Sequence, residues 1–184
     1  MRIAVSGSHC SGKSTLIELF LAGHPDYNHE TEAYELLDES LSYQPSAEDF
    51  FRQLECHAQQ LQEYQSGARV IIERSPVDYV AYLKALDVLN RDDYAGQLLT
   101  GALVLAKEAL ASLELILFLS TRDLRTFVPR EEDLELRDAV NDCLESILLN
   151  DELDLFGACK PVVIEASGTL EQRLAILEAA TRAS

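Results

Sequence analysis

In the stretch Gly7-Ser8-His9-Cys10-Ser11-Gly12-Lys13-Ser14-Thr15, the first eight residues match the phosphate-binding pattern G-x-x-x-x-G-K-[ST] in full. Gly7 and Gly12 lack a Cβ, so the backbone can turn tightly and bring its N–H groups, Ser11 among them, against a phosphate chain. Lys13 would set a point charge on the β- and γ-phosphates, and the Ser14 hydroxyl would complete the shell of a bound Mg²⁺. Thr15 would lie in the first turn of a helix whose positive end faces the anion. The implied cofactors are ATP and Mg²⁺. From average residue usage, a chance match in a chain this long is on the order of one per cent. The flanks reduce that further, because Arg2–Ser6 reads as a short buried strand and Ser14–Leu21 as an apolar helix opening.

Two further groups of residues suit the same chemistry. Glu73 and Arg74 end the β-branched run Val70-Ile71-Ile72. A carboxylate one strand from the loop is placed to support Mg²⁺, and Arg74 to hold a phosphoryl group in flight. Arg122, Arg125 and Arg130 form a concentration of positive charge in an otherwise acidic chain. They suit a short lid, about 121–137, that closes over phosphates and excludes water. The plainer alternative is a solvated arginine turn paired to Glu131, Glu132 and Asp133. Glu32, with Glu30 as its competitor, is the candidate to take a proton from an acceptor hydroxyl. Asp78, Tyr79 and Tyr82 would lie near the site, either against an acceptor or, for the two tyrosines, in the core. The four histidines show no metal-ligand spacing, although His9 lies inside the loop.

The elements that must position these groups alternate. Strands are expected at Arg2–Ser6, Tyr27–Thr31, Val70–Ile72, Leu113–Ser120 and Pro161–Ile164. Helices are expected over about 14–21, 33–40, 46–64 (stopped by Gly67), 76–89, 92–111, 131–149 and 169–180. This order implies an α/β fold of three layers, with a parallel sheet of about five strands and helices on both faces. Ligands of such sheets bind at the carboxyl ends of the strands, where all the unusual polar residues fall. No repeat or linker divides residues 1–184, so one domain is expected.

The formal charge of −17 disfavours nucleic acid and anionic membranes as partners. No stretch approaches the roughly 18 apolar residues of a membrane span. The first apolar run leads into the loop, so its removal as a leader would remove the site. Cys10, Cys56, Cys143 and Cys159 show no paired spacing and read as free thiols. A cytoplasmic location is expected, with a small-molecule acceptor as partner and a homodimer as a possible assembly.

The stretches 7–16, E-T-E-A-Y-E at 30–35, I-I-E-R-S-P-V-D-Y-V-A-Y-L at 71–83 and V-P-R-E-E-D-L-E-L-R at 128–137 resemble the P-loop kinase group. The likeness is greatest to the branch holding the ribosylnicotinamide kinase domain and small AAA-type ATP-binding proteins. Glu73-Arg74-Ser75 is also similar to the E-R-S sequence of deoxynucleoside kinases. This resemblance implies that Lys13, Ser14 and Thr15 bind ATP and Mg²⁺, Glu32 lies on the substrate side, Glu73 supports the metal, and Arg130 belongs to the lid. It implies a kinase acting on a small molecule such as a nucleoside. The rival from another class is a nucleotide-dependent switch, for which the guanine-reading N-K-x-D sequence is missing.

Overall fold

The computed structural model describes residues 1–30, 45–65, 67–121, 133–157 and 160–182. Five parallel strands, β1 (Arg2–Ser6), β2 (Asn28–Glu30), β3 (Val70–Glu73), β4 (Leu115–Phe118) and β5 (Val162–Glu165), form one sheet in the order β2-β3-β1-β4-β5. Six described helices alternate with them: α1 (Lys13–Gly23), α2 (Ala47–Glu63), α3 (Pro76–Val88), α4 (Ala95–Leu110), α5 (Leu134–Asn150) and α6 (Leu170–Arg182). The expected α/β sheet with helices on both faces is present. The lid and the expected 33–40 helix lie largely outside the described residues.

Alternation along β1 sends Ile3 and Val5 to one face and Ala4 to the other. On the first face they meet Leu16, Ile17 and Phe20 of α1 and Leu177 of α6. On the second, Ala4, Ile72 and Phe118 pack under α2, α3, α4 and α5. The Val70–Glu73 strand is buried throughout, as its β-branched run requires. Ile71 is fully buried in this layer, and truncating it to alanine would cost about 2–5 kcal/mol. Helix α3 is buried almost all round because it packs against α2, α4 and α5.

Several boundaries differ from expectation for local reasons. Helix α4 starts at Ala95 rather than near Asp92, because the Asp92 carboxylate accepts from Ala47 N at 2.8 Å and Tyr94 N at 2.9 Å, forming a turn. Helix α2 ends at Glu63, where Tyr64 turns extended (φ −70°, ψ 127°), so Gly67 (φ 85°) serves a later turn and does not stop the helix. Strand β4 is shorter than the apolar run Leu113–Ser120, since only residues 115–118 pair with both neighbours. Among the described residues no helix is long and apolar enough to cross a membrane.

Candidate active site

The parallel register Val5↔Glu73 brings the end of β3 beside the end of β1, where the loop begins. The loop is tight. A Cβ on Gly7 would come within 2.6 Å of Ser11 Oγ and 3.0 Å of the Leu119 carbonyl, and Gly12 takes φ 87°. The loop then feeds directly into α1 through the left-handed Gly12. Ser8 Oγ and Ser11 Oγ are buried without hydrogen-bond partners, and Ser14 and Thr15 are exposed at the helix start. Orphaned hydroxyls beside a glycine cradle fit an anion with many acceptor oxygens.

Lys13 is 4 % exposed. Its Nζ donates to the Gly7 carbonyl at 3.1 Å and the Ser8 carbonyl at 3.0 Å, and lies 3.6 Å from Glu73 Oε1. Among the described residues, no group of three metal-ligating side chains forms a closed cage. Mg²⁺ needs none, because it keeps most of its waters and takes one or two protein oxygens, for which Ser14 and Glu73 are suited.

Arg74 follows Glu73 with φ 70°, an unusual value for a residue with a side chain. Its guanidinium lies 5.4 Å from the Tyr82 ring centre. The His9 ring meets the same tyrosine edge-on at 5.7 Å. Desolvation, then Arg74 and Lys13, hold the His9 imidazole at about 3, so it is neutral at physiological pH. On α2, Gln53 and His57 are both buried. His57 packs 5.5 Å from Tyr79, its Nε2 has no hydrogen-bond partner, and burial, followed by Arg74, lowers it to about 4. Tyr79 and Tyr82 are 1 % exposed, and Phe50 stacks on Tyr82 at 4.4 Å. The two tyrosines are core residues that form the wall beside Arg74.

Asp78 differs from its sequence-based expectation. It is fully buried, and its carboxylate accepts from Gly7 N at 3.0 Å, Ser75 N at 2.7 Å and Ser75 Oγ at 3.0 Å. Ser75 Oγ also accepts from Ser6 Oγ at 2.8 Å. Asp78 therefore caps α3 and ties the loop's first amide to it, leaving no oxygen for an acceptor.

Two arginines to which the sequence assigns no individual role reach the loop. Arg137 Nε donates to the His9 carbonyl at 2.9 Å, and Arg173 NH1 donates to the Ser11 carbonyl at 2.8 Å. Their signal was present, since both occupy core-stripe positions of amphipathic helices, Arg137 with Val140 and Leu144, Arg173 with Leu177. Glu32, Arg122, Arg125 and Arg130 lie outside the described residues. The competing Glu30 ends β2 in register with Ile72, beside Tyr64, whose phenol is pushed up by burial and then by that carboxylate. Asp133, offered as a partner for the lid arginines, pairs with Arg91 and caps α5 through Leu136 N at 3.1 Å.

A family model described as "AAA domain" matches residues 2–173. No curated protein matches the chain. Among solved structures, a deoxyadenosine kinase from M. mycoides with bound dATP is 19 % identical, with a TM-score of 0.70 over 99 % of this chain and 100 % of that one. A thymidylate kinase from Candida albicans is 17 % identical, with a TM-score of 0.66 over 99 % of this chain and 91 % of that one. A NadR protein in complex with NAD and AMP-PNP is 14 % identical, with a TM-score of 0.61 over 98 % of this chain and 48 % of that one, so this chain spans about half of it. The fold is that of the P-loop kinases, and with a family model spanning nearly the whole length, the chain belongs to the AAA domain family.

Proposed function

We propose that the protein is an ATP- and Mg²⁺-dependent phosphotransferase acting on a hydroxyl, or a phosphate, of a small molecule of nucleoside or nucleotide type. The observation that carries this reading is the meeting of Lys13 and Glu73, 3.6 Å apart at the carboxyl ends of adjacent strands. Arg74 supports it, being buried beside that pair and close enough to the loop to depress His9. The likeness to a thymidylate kinase and a deoxyadenosine kinase favours the acceptor class.

In this reading Gly7, Ser11, Gly12, Ser14 and Thr15 hold the polyphosphate, and Lys13 neutralises its terminal groups. Ser14 and Glu73 hold Mg²⁺, which when bound offsets charge on the β- and γ-oxygens. Glu32 takes the proton of the acceptor hydroxyl as that oxygen bonds to the γ-phosphorus and the bond to the β-phosphate oxygen breaks, leaving ADP. Arg74 and Arg130 stabilise the charge spread over the transferring group, while Arg122 and Arg125 engage the donor phosphates. Glu32, Arg122, Arg125 and Arg130 take these roles by their positions in the sequence.

The test is ADP release from ATP and Mg²⁺ across nucleosides, nucleotides, sugars and small alcohols. One acceptor class should stimulate release, and Glu32→Gln should lower that turnover by about 100-fold or more with ATP affinity unchanged. Slow release, equal for every acceptor, would instead indicate a nucleotide switch.

A further inference from the structure

Helix α6 carries an arginine where its pattern calls for an apolar side chain. Arg173 is 4 % exposed, donates through NH1 to the Ser11 carbonyl at 2.8 Å and through NH2 to the Ser120 carbonyl at 3.3 Å, and buries an Nε without a partner. Among the described residues no carboxylate pairs with it, and burial alone acts on its proton affinity. A buried cation without a counter-ion is costly, and so calls for an anion elsewhere in its field. Its NH1 lies 3.8 Å from where a Gly12 Cβ would stand, so the charge sits directly against the loop.

Peptide planarity adds a direction. A trans peptide holds each C=O antiparallel to the next N–H. The Ser11 carbonyl turned to Arg173 therefore aims the Gly12 N–H away from the guanidinium. Arg137 does the same for Cys10 by taking the His9 carbonyl at 2.9 Å. Two guanidinium groups at the back of the loop thus set the tilt of alternate amides at its front.

We propose that Arg173 is a positioning residue for a bound polyphosphate, fixing the tilt of the Ser11–Gly12 peptide and supplying positive charge that the anion balances through the loop. This rests on the donor-site reading of residues 7–15 given above.

Calorimetric binding of ATP, AMP and inorganic tripolyphosphate to wild type, Arg173→Gln and Arg173→Lys tests it, well below each melting temperature. Arg173→Gln keeps a donor but loses the charge, and should weaken ATP and tripolyphosphate about tenfold and AMP much less. Arg173→Lys should recover most of that loss. Unchanged affinities with lowered melting temperatures would reduce Arg173 to a packing role and overturn the proposal, as would equal losses for ATP and AMP. A wild type that binds neither ATP nor tripolyphosphate would remove the donor-site reading itself. Hydrogen exchange on the wild type decides the matter even if Arg173→Gln does not fold. Tripolyphosphate should slow exchange over residues 170–175, whereas AMP should not, and equal exchange with both would also overturn the proposal.

Discussion

The phosphate loop is held by directional bonds to its own backbone, with Asp78 on the Gly7 amide and Arg137 and Arg173 on the His9 and Ser11 carbonyls. The wall between α2 and α3 is held by ring packing, with Phe50 on Tyr82 at 4.4 Å and His57 against Tyr79 at 5.5 Å. A loop that presents amides to a ligand needs each peptide plane fixed, and only hydrogen bonds fix a plane. A wall that selects by shape needs volume and a few polar points, which aromatic packing supplies with less angular constraint. The loop is therefore fixed in orientation, while the wall tolerates changes of shape except at Tyr82, whose ring meets His9 of the loop at 5.7 Å.

The largest effect should come from removing the donor half alone. Lys13→Ala should lower turnover by about 1,000-fold or more and abolish the rise in melting temperature with ATP and Mg²⁺. The titration of His57, followed by NMR, should stay at about 4, and a shift there would break the separation of the halves.

Asp78 is the seam between them. Asp78→Ala should lower stability by about 3 kcal/mol in urea, because it orphans buried donors on Gly7 and Ser75. It should weaken ATP as well, since the first loop amide loses its anchor. Loss of stability with full ATP affinity would show the loop to be independent of α3.

A smaller effect isolates the wall. His57 titrates at about 4 when folded and near 6.5 when unfolded, so between these values the unfolded chain binds more protons. Stability then falls as pH drops from 6.5 towards 4. His57→Phe should remove about 2 kcal/mol of the loss between pH 6.5 and pH 5. An unchanged pH profile in denaturant melts would place the titrating group elsewhere.

What was legible in the sequence was whatever depends on neighbours along the chain. The run Ile3–Val5, the glycine spacing and the Val70–Ile72 run each specify local geometry, and β1, the loop and β3 followed them. The meeting of Glu73 with Lys13 was legible one step further, because a parallel sheet aligns strand ends. Asp78 is ambiguous in the sequence because an acidic residue at the third position of a helix has two uses, and only the approach of Gly7 decides between them. The roles of Arg137 and Arg173 are not legible in the sequence, because each depends on a carbonyl far away along the chain. Their stripe positions pointed inward, but the carbonyls that receive them lie 128 and 162 residues away.

Those separations bear on when the site comes into being. Within this fold the phosphate loop is synthesised well before the guanidinium that backs it, because Arg173 is carried by α6, which follows β5. Contacts of such long sequence separation form late, because the intervening chain must first be brought together. A nascent chain stalled before residue 173 would display the whole motif without its rear support. Nucleotide capture would then wait for α6 to dock, and a ligand present during synthesis would trap the assembled fold rather than guide the unassembled one.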